Sequence, residues 1–205
     1  MVIKWIVCRV PEGKRNSFDE AQQAWKTISE SPGFLGQIGG WNRHDPSEAC
    51  IAAFWQDEAA YRNFMDRIHD GVTQKNAQAQ TYDAIEVRDC QALFEMPGSE
   101  RGILQAAAHA TLLRVADCTL KPGRDEHFVE VQKSVWIPAM TSTAGMSWGT
   151  FTRYDRAGSY LVLSLWKDAA SHDRYRVEQV PRLREKARVD EDLEALTGRF
   201  VPLLP

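Results

Sequence analysis

His69, with Asp70 directly after it, is the residue whose type best suits proton transfer. It follows Phe64, Met65 and Ile68 on an apolar helical stripe, and an imidazole at a pocket rim would accept a substrate proton or hold a carboxylate. The competing role for His69 is that of a partly exposed helix-end histidine interacting with the terminal carbonyls. Asn42 and Arg43 could stabilise an anion, and with His69 they form the candidate catalytic set, on condition that folding brings them together. Trp41, Phe54, Trp148 and Tyr154 lie on hairpin strands and form the candidate ligand-binding set, able to clamp a planar apolar molecule. Their ordinary role is to fill a core. Oxygenation without a cofactor needs a substrate that donates electrons to oxygen after deprotonation, a dry pocket, and polar groups that stabilise the resulting anion. These residue types match those needs.

The remaining candidates carry less. His44 sits in a hairpin turn, and His127 follows Asp125 and Glu126, but acids adjacent on a helix do not point together at a metal. Cys8, Cys50, Cys90 and Cys118 include no CxxC pair, so neither a zinc site nor a dithiol motif is indicated. The sequence has no GxGxxG fingerprint, phosphate loop, GxSxG elbow or HExxH pair. No cofactor and no metal is expected.

The elements that must position these residues occur twice. Cys8, Pro11 to Lys14, Phe18, Arg43 and Asp45 recur 110 residues later as Cys118, Lys121 to Arg124, Phe128, Arg153 and Asp155; Trp55, Asp57 and Phe64 recur at one further residue as Trp166, Asp168 and Tyr175. A duplication explains that register. In the first copy, residues 2–10 read as a strand, Ser17 and Glu20 as a capping box ahead of a helix with Phe18, Ala21, Trp25 and Ile28 on one face, and Ser31, Pro32 and Gly33 as its end. Residues 34–42 and 49–55 read as a hairpin, Asp57 as the cap of the next helix, and residues 82–87 as a fourth strand. The second copy repeats the order. It has strands at 111–120, 145–154, 160–166 and 200–204, a helix at 125–136 that Pro138 should terminate, and a longer helix capped by Asp168 that Pro181 should kink or divide.

Each copy therefore reads β-α-β-β-α-β, ferredoxin-like organisation. The fold class expected is α+β, with two fused ferredoxin-like repeats forming an intramolecular dimeric α/β barrel. Residues 1–92 form the first repeat, 93–109 the linker and 110–205 the second. Ile3, Trp5 and Val7 alternate with Ile6, Cys8 and Val10, so both faces of the opening strand should be buried. Two separate α+β domains are the alternative, at the expense of exposing broad apolar sheet faces.

With 25 Lys and Arg against 28 Asp and Glu, the net charge is -3. That provides no drive toward a phosphate backbone, and no nucleic-acid partner is expected. Apolar runs are interrupted before membrane-spanning length and the N-terminus lacks a cleavage site, which suggests a cytoplasmic protein with no membrane partner. The expected partner is a small apolar or aromatic molecule, and the assembly a monomeric fused pseudo-dimer or a homodimer.

Phe54, Trp55, Gln56 and Asp57 with Ala59, Ala60, Tyr61 and Phe64, and their second copy Leu165, Trp166, Lys167, Asp168, Ala169, Ala170 and Tyr175, resemble the antibiotic biosynthesis monooxygenase-like members of the dimeric α/β-barrel superfamily. The tandem arrangement and the opening Ile3 to Val7 are similar to the bacterial YdbC-like group, largely uncharacterised. The resemblance covers both repeats but not the linker. It implies pockets between sheet and helices, and reactions ranging from oxidation of polyketide aromatics to haem degradation, so it does not by itself assign an enzyme class. Haem-degrading relatives place an iron-binding His ten residues beyond the aromatic matched by Phe64. Gln74 stands there, and the second copy offers no His at that place either. The function this implies is oxidation of a small aromatic or quinol compound; the alternative is a noncatalytic small-molecule binding or stress-associated protein.

Overall fold

The computed structural model describes residues 1–75 and 77–203, and the chain divides into two compact units, Met1–Asp89 and Cys90–Pro205. The first opens with β1 (Val2–Arg9) and α1 (Arg15–Gln23), which tightens into 3-10 turns over Ala24–Glu30. β2 (Phe34–Trp41), β3 (Glu48–Trp55) and α2 (Glu58–Phe64) follow; then come a π-helical turn at Met65–His69, α3 (Asp70–Lys75), and β4 (Ala84–Pro97), whose first residues complete the unit. The strand order is β2-β3-β1-β4. β1 runs antiparallel to β3 from Val2 opposite Trp55 to Arg9 opposite Glu48. The helices pack on the face that carries Cys8, Ile51 and Trp55.

The second unit repeats this plan. After the rest of β4 come α4 (Ile103–His109), β5 (Leu112–Leu120), α5 (Asp125–Val131), a π-helical turn at Gln132–Trp136, and α6 (Ile137–Thr141). β6 (Met146–Tyr154), β7 (Ser159–Trp166), α7 (Ala169–Glu178), α8 (Val180–Lys186), α9 (Val189–Asp192) and β8 (Leu193–Pro202) complete it. The order β6-β7-β5-β8 reproduces that of the first unit. Within the second unit, the β4 stretch from Cys90 lies antiparallel to β6, Cys90 opposite Tyr154.

Local chemistry explains the boundaries. The carboxylates of Asp57 and Asp168 accept from the backbone N–H groups of Ala60 and Ser171, at 2.8 and 2.7 Å, as N-caps of α2 and α7. Gly33 and Gly145 turn the chain into β2 and β6 with φ of +76° and +90°, and a Cβ on either would meet the start of the following helix, at Ala60 or Ser171, at 2.4 Å. Only glycine meets both requirements.

Several elements differ from the sequence expectation. Ser17 and Glu20 lie inside α1 rather than capping it, because the helix already starts at Arg15. Pro138 does not end its helix. The preceding π turn has disrupted the regular amide ladder, and Pro138 enters α6 at its first turn, where a missing N–H is tolerated. Pro181 likewise stands at the start of α8, dividing it from α7. β4 runs on through Pro97 and α4 follows, so structured elements occupy the stretch read as a connector. β8 begins at Leu193, seven residues before the strand expected over 200–204, because pairing with β5 imposes extended backbone on a polar segment; Leu204 lies outside the described residues.

Both faces of the inner strands are withdrawn from solvent. All eight residues of β3 are buried, and on β1 the outward set Ile3, Trp5 and Val7 is as inaccessible as the helix-facing Cys8. One exception on the helix-facing side of β1 is polar: Lys4.

Candidate functional site

In the first unit, sheet and helices enclose a cavity of about 280 Å³ whose walls include Lys4, Ile6, Cys8, Trp25, Trp55, Phe64 and His69. Alternation on β1 sends Lys4, Ile6 and Cys8 to this side, and alternation on β3 sends Ile51, Ala53 and Trp55. His69 reaches the same space because of the π turn. Five residues along an α-helix would carry it about 140° round from Phe64, whereas the i→i+5 turn at Met65–His69 returns it to the Phe64 side. The two rings meet edge to face, 5.9 Å between centroids, and Trp25 flanks the imidazole at 5.8 Å. The Trp25 indole N–H donates in turn to Gln78 Oε1 at 2.6 Å, which fixes its plane.

The His69 ring is oriented by the carboxylate that follows it. Its Nδ1 stands 3.0 Å from Asp70 Oδ1; a carboxylate only accepts, so Nδ1 carries the proton and Nε2 is left as the basic nitrogen. The side chain is 24% exposed, which places it at the rim.

Lys4 lies deeper, 9% exposed. Its ammonium sits 3.6 Å from Met65 Sδ and 5.8 Å from the centre of the Tyr61 ring. No carboxylate forms an ion pair with it among the described residues. Burial lowers its pKa, and Asp89 opposes that shift through its charge; Asp89 itself accepts from the Tyr61 hydroxyl at 2.9 Å. Lys4 is thus a cation in an apolar enclosure, answered only by a thioether, a ring face and a distant acid. Another donor is unmatched among the described residues: the Trp55 indole N–H is fully buried with no acceptor there. The equivalent Trp166 donates to Ser164 Oγ at 3.0 Å, and Ala53 takes the place of that serine. Cys8, also in the wall, has its thiol pushed up to about 12 by burial and stays protonated.

Of the residues proposed from sequence as catalytic or ligand-binding, His69 alone lines this cavity. Asn42 is buried in the β2–β3 turn, where its amide donates to Glu48 Oε2 at 2.8 Å and its carbonyl accepts from the His44 backbone N–H at 3.2 Å. Arg43 is exposed beside it. Trp41 packs edge to face on Phe18 at 5.6 Å under the guanidinium of Arg15. Phe54 is fully buried on the opposite face of β3 from Trp55. In the second unit, the Trp148 indole donates to Glu95 at 3.3 Å, and Tyr154 is buried at the end of β6. His127 bonds to the buried Asp192, not to Asp125, and no group of three or more His, Cys, Asp and Glu able to hold a metal occurs among the described residues. Among those residues, no helix is long and apolar enough to cross a membrane.

The sequence reading passed over Lys4. Its signal was a lone charge inside the apolar run Val2-Ile3-Lys4-Trp5-Ile6, matched 110 residues on by Arg114 inside Leu112-Leu113-Arg114-Val115. Arg114 lines an equivalent cavity of about 210 Å³ in the second unit, with Cys118, Gln132, Trp166 and Tyr175 where the first has Cys8, Gln22, Trp55 and Phe64. Val180 stands there at the place of His69.

Comparison with known proteins agrees with this architecture. Residues 2–89 match a family described as Domain of unknown function (DUF4937). The uncharacterized protein YdbC of Bacillus subtilis is 35% identical over 89 residues, 42% of this chain and 75% of YdbC. A Fusobacterium nucleatum structure described as a candidate monooxygenase superposes with a TM-score of 0.81 at 14% identity, covering 100% of this chain and 92% of that one. A haem-degrading enzyme from Listeria monocytogenes superposes with a TM-score of 0.51 at 9% identity, covering 97% and 99%. The fold is thus that of the monooxygenase-like dimeric α/β barrels in tandem form, and the chain belongs to the YdbC family.

Proposed function

We propose that the first-unit cavity takes a small hydroxyaromatic or quinol compound and promotes its oxidation. His69 Nε2 removes the hydroxyl proton, and the resulting phenolate sits against the Lys4 ammonium. A charge in a dry enclosure stabilises an anion much more than the same charge in water. The phenolate is electron-rich enough to reduce dioxygen. Where the reacting ring carbon carries two hydrogens, one O2 converts it to a carbonyl, one oxygen atom entering the product and the other leaving as water; a quinol gives two electrons and two protons to O2, forming the quinone and hydrogen peroxide, so in both cases electrons balance without an external reductant. The observation that carries this reading is the Lys4 ammonium, without an ion-pair partner among the described residues, sharing an apolar cavity with His69, whose Nδ1 is held by Asp70. The likeness to monooxygenase folds supports it at the level of fold.

The test is oxygen uptake across a panel of phenols, quinols and ring ketones with an activated methylene. Turnover should fall by about 10²-fold or more in His69→Ala, the range for loss of a general base, and comparably in Lys4→Met. Turnover unchanged in both variants contradicts the proposal.

Binding without turnover is the second reading. It is favoured by the second-unit cavity, which keeps the basic strand residue as Arg114 but has Val180 in place of His69. Saturable binding of the panel without oxygen uptake would support it.

A further inference from the structure

The cavity of the second unit differs from the first in what its polar atoms lack. Among the described residues His172 and Tyr175 line it at 5% exposure each, and neither His172 Nδ1 nor the Tyr175 hydroxyl has a hydrogen-bond partner. The Trp136 indole N–H, in the same wall, is also buried without an acceptor. Polar atoms are rarely left so in a folded interior, because an unmade hydrogen bond forfeits the hydration given up on burial. Three residues of this one wall thus hold buried polar atoms without a protein partner among the described residues, and what the cavity itself offers to a ligand group is set by its charged side chains.

The charge of that group follows from the arginines. Arg114, Arg176 and Arg184 line the cavity and no Asp or Glu does. Arg176 is held by Asp173 at 3.3 Å and Arg184 by Asp190 at 2.5 Å, outside the cavity wall. Among the described residues Arg114 has no acidic partner; one of its nitrogens donates to the backbone carbonyl of Arg199 at 3.0 Å. Gly198 makes that position possible, since a Cβ there would stand 2.6 Å from Arg114 Nη2. The rest of the wall is apolar and aromatic, with Phe128, Met140 and Trp166 among it.

We infer that this second cavity binds a small aryl carboxylic acid, its carboxylate on the Arg114 guanidinium, its ring against Trp166 and Met140. A planar carboxylate fits the guanidinium fork, whereas a neutral amide of the same shape presents no charge to it. The site is independent of the oxidation proposed for the first unit and shares no residue with it.

Calorimetric titration of the Lys4→Met protein, in which the first cavity is disabled, tests this with benzoate and its ring-substituted and naphthyl relatives against the matching amides. Saturable binding of at least one acid is expected, with its amide weaker by about tenfold or more, the range for a hydrogen bond to a charged group. Arg114→Met should weaken the acid by a similar factor while leaving the amide unchanged. Arg114→Lys, which keeps the charge and loses the planar fork, should weaken it about threefold to tenfold and keeps the test alive if Arg114→Met does not fold. No saturable binding by any acid, an amide that binds as tightly as its acid, or an acid affinity unmoved in the folded variants would overturn the inference.

Discussion

Single side chains on this protein acquire their properties from burial more than from neighbours of opposite charge. His172 is the sharpest case. Removal from water, reinforced by the positive Arg114 and only partly offset by Asp173, pushes its pKa down to about 4 from an ordinary 6.5. The imidazole is therefore neutral in the folded protein at a pH where it is charged in the unfolded chain. The unfolded state binds the extra proton, so this group's contribution is complete above pH 6.5 and is lost as pH falls toward 4. At about 1.4 kcal/mol per unit, the loss approaches roughly 3 kcal/mol. His172→Phe keeps the aromatic contacts with Trp166 and Phe200, whose centroids lie at 5.2 and 5.3 Å, and removes the titration. Urea unfolding at pH 7 and 4.5 should show a smaller acid loss in that variant than in the wild type; equal losses would assign the acid sensitivity elsewhere.

Elements differed in how readily their residues announced them. β1, β3, β5 and β7 were legible because Val, Ile, Leu and aromatic residues fill both alternation classes, and the Asp57 and Asp168 caps because the side chain itself makes the bond. β8 was not, since Glu194, Ala195 and Gly198 have low strand propensity and the ladder with β5 overrides it. The two π turns were also hidden. Nothing in Met65–His69 or Gln132–Trp136 differs in composition from an ordinary helix. Each is an insertion in register, and each carries a cavity residue, His69 in one and Gln132 and Trp136 in the other. The sequence showed only that His69 follows Phe64, Met65 and Ile68 on the helix; regular phase would set it about 140° from Phe64, and the π turn is what brings it back. Deleting the exposed Arg67 should restore regular α-helix through this stretch and leave the imidazole four residues beyond Phe64, still on its face of the helix. The variant is expected to fold with unchanged far-ultraviolet circular dichroism and to keep the His69-dependent step, whereas inserting an alanine in place of that deletion, which shifts the ring by about a further 100°, should lose the step as fully as His69→Ala; full retention after the insertion would show that the turn does not position the ring.

For the molecule as a whole, the register of repeated residues at offsets of 110 and 111 foretold two copies of one topology, and the strand orders β2-β3-β1-β4 and β6-β7-β5-β8 are that repetition. The candidate site was only partly legible. His69 lines the first cavity, but Asn42 and Arg43 stand at the far end of the β2–β3 hairpin, a separation that one-dimensional spacing does not reveal. Lys4 escaped notice because a single charge in a strand normally faces solvent. Its match to Arg114 was the available clue, visible once the two copies are aligned and each strand is known to be covered on its charged side. The repeated feature is a buried base on the first strand of each copy; the differing feature is the proton acceptor, His69 against Val180.

That contrast makes anion stabilisation at Lys4 the central claim, and ionisation of a bound phenol is its most direct measure. The pH titration of 4-nitrophenol absorbance, followed in the presence of saturating protein, reads the phenolate itself. The account predicts that the bound phenol ionises at a pH lower than the free compound by about one unit or more, with the shift kept in Arg114→Met and abolished in Lys4→Met. A bound phenol that ionises at the same or higher pH than in water, or a shift that survives Lys4→Met, would contradict it.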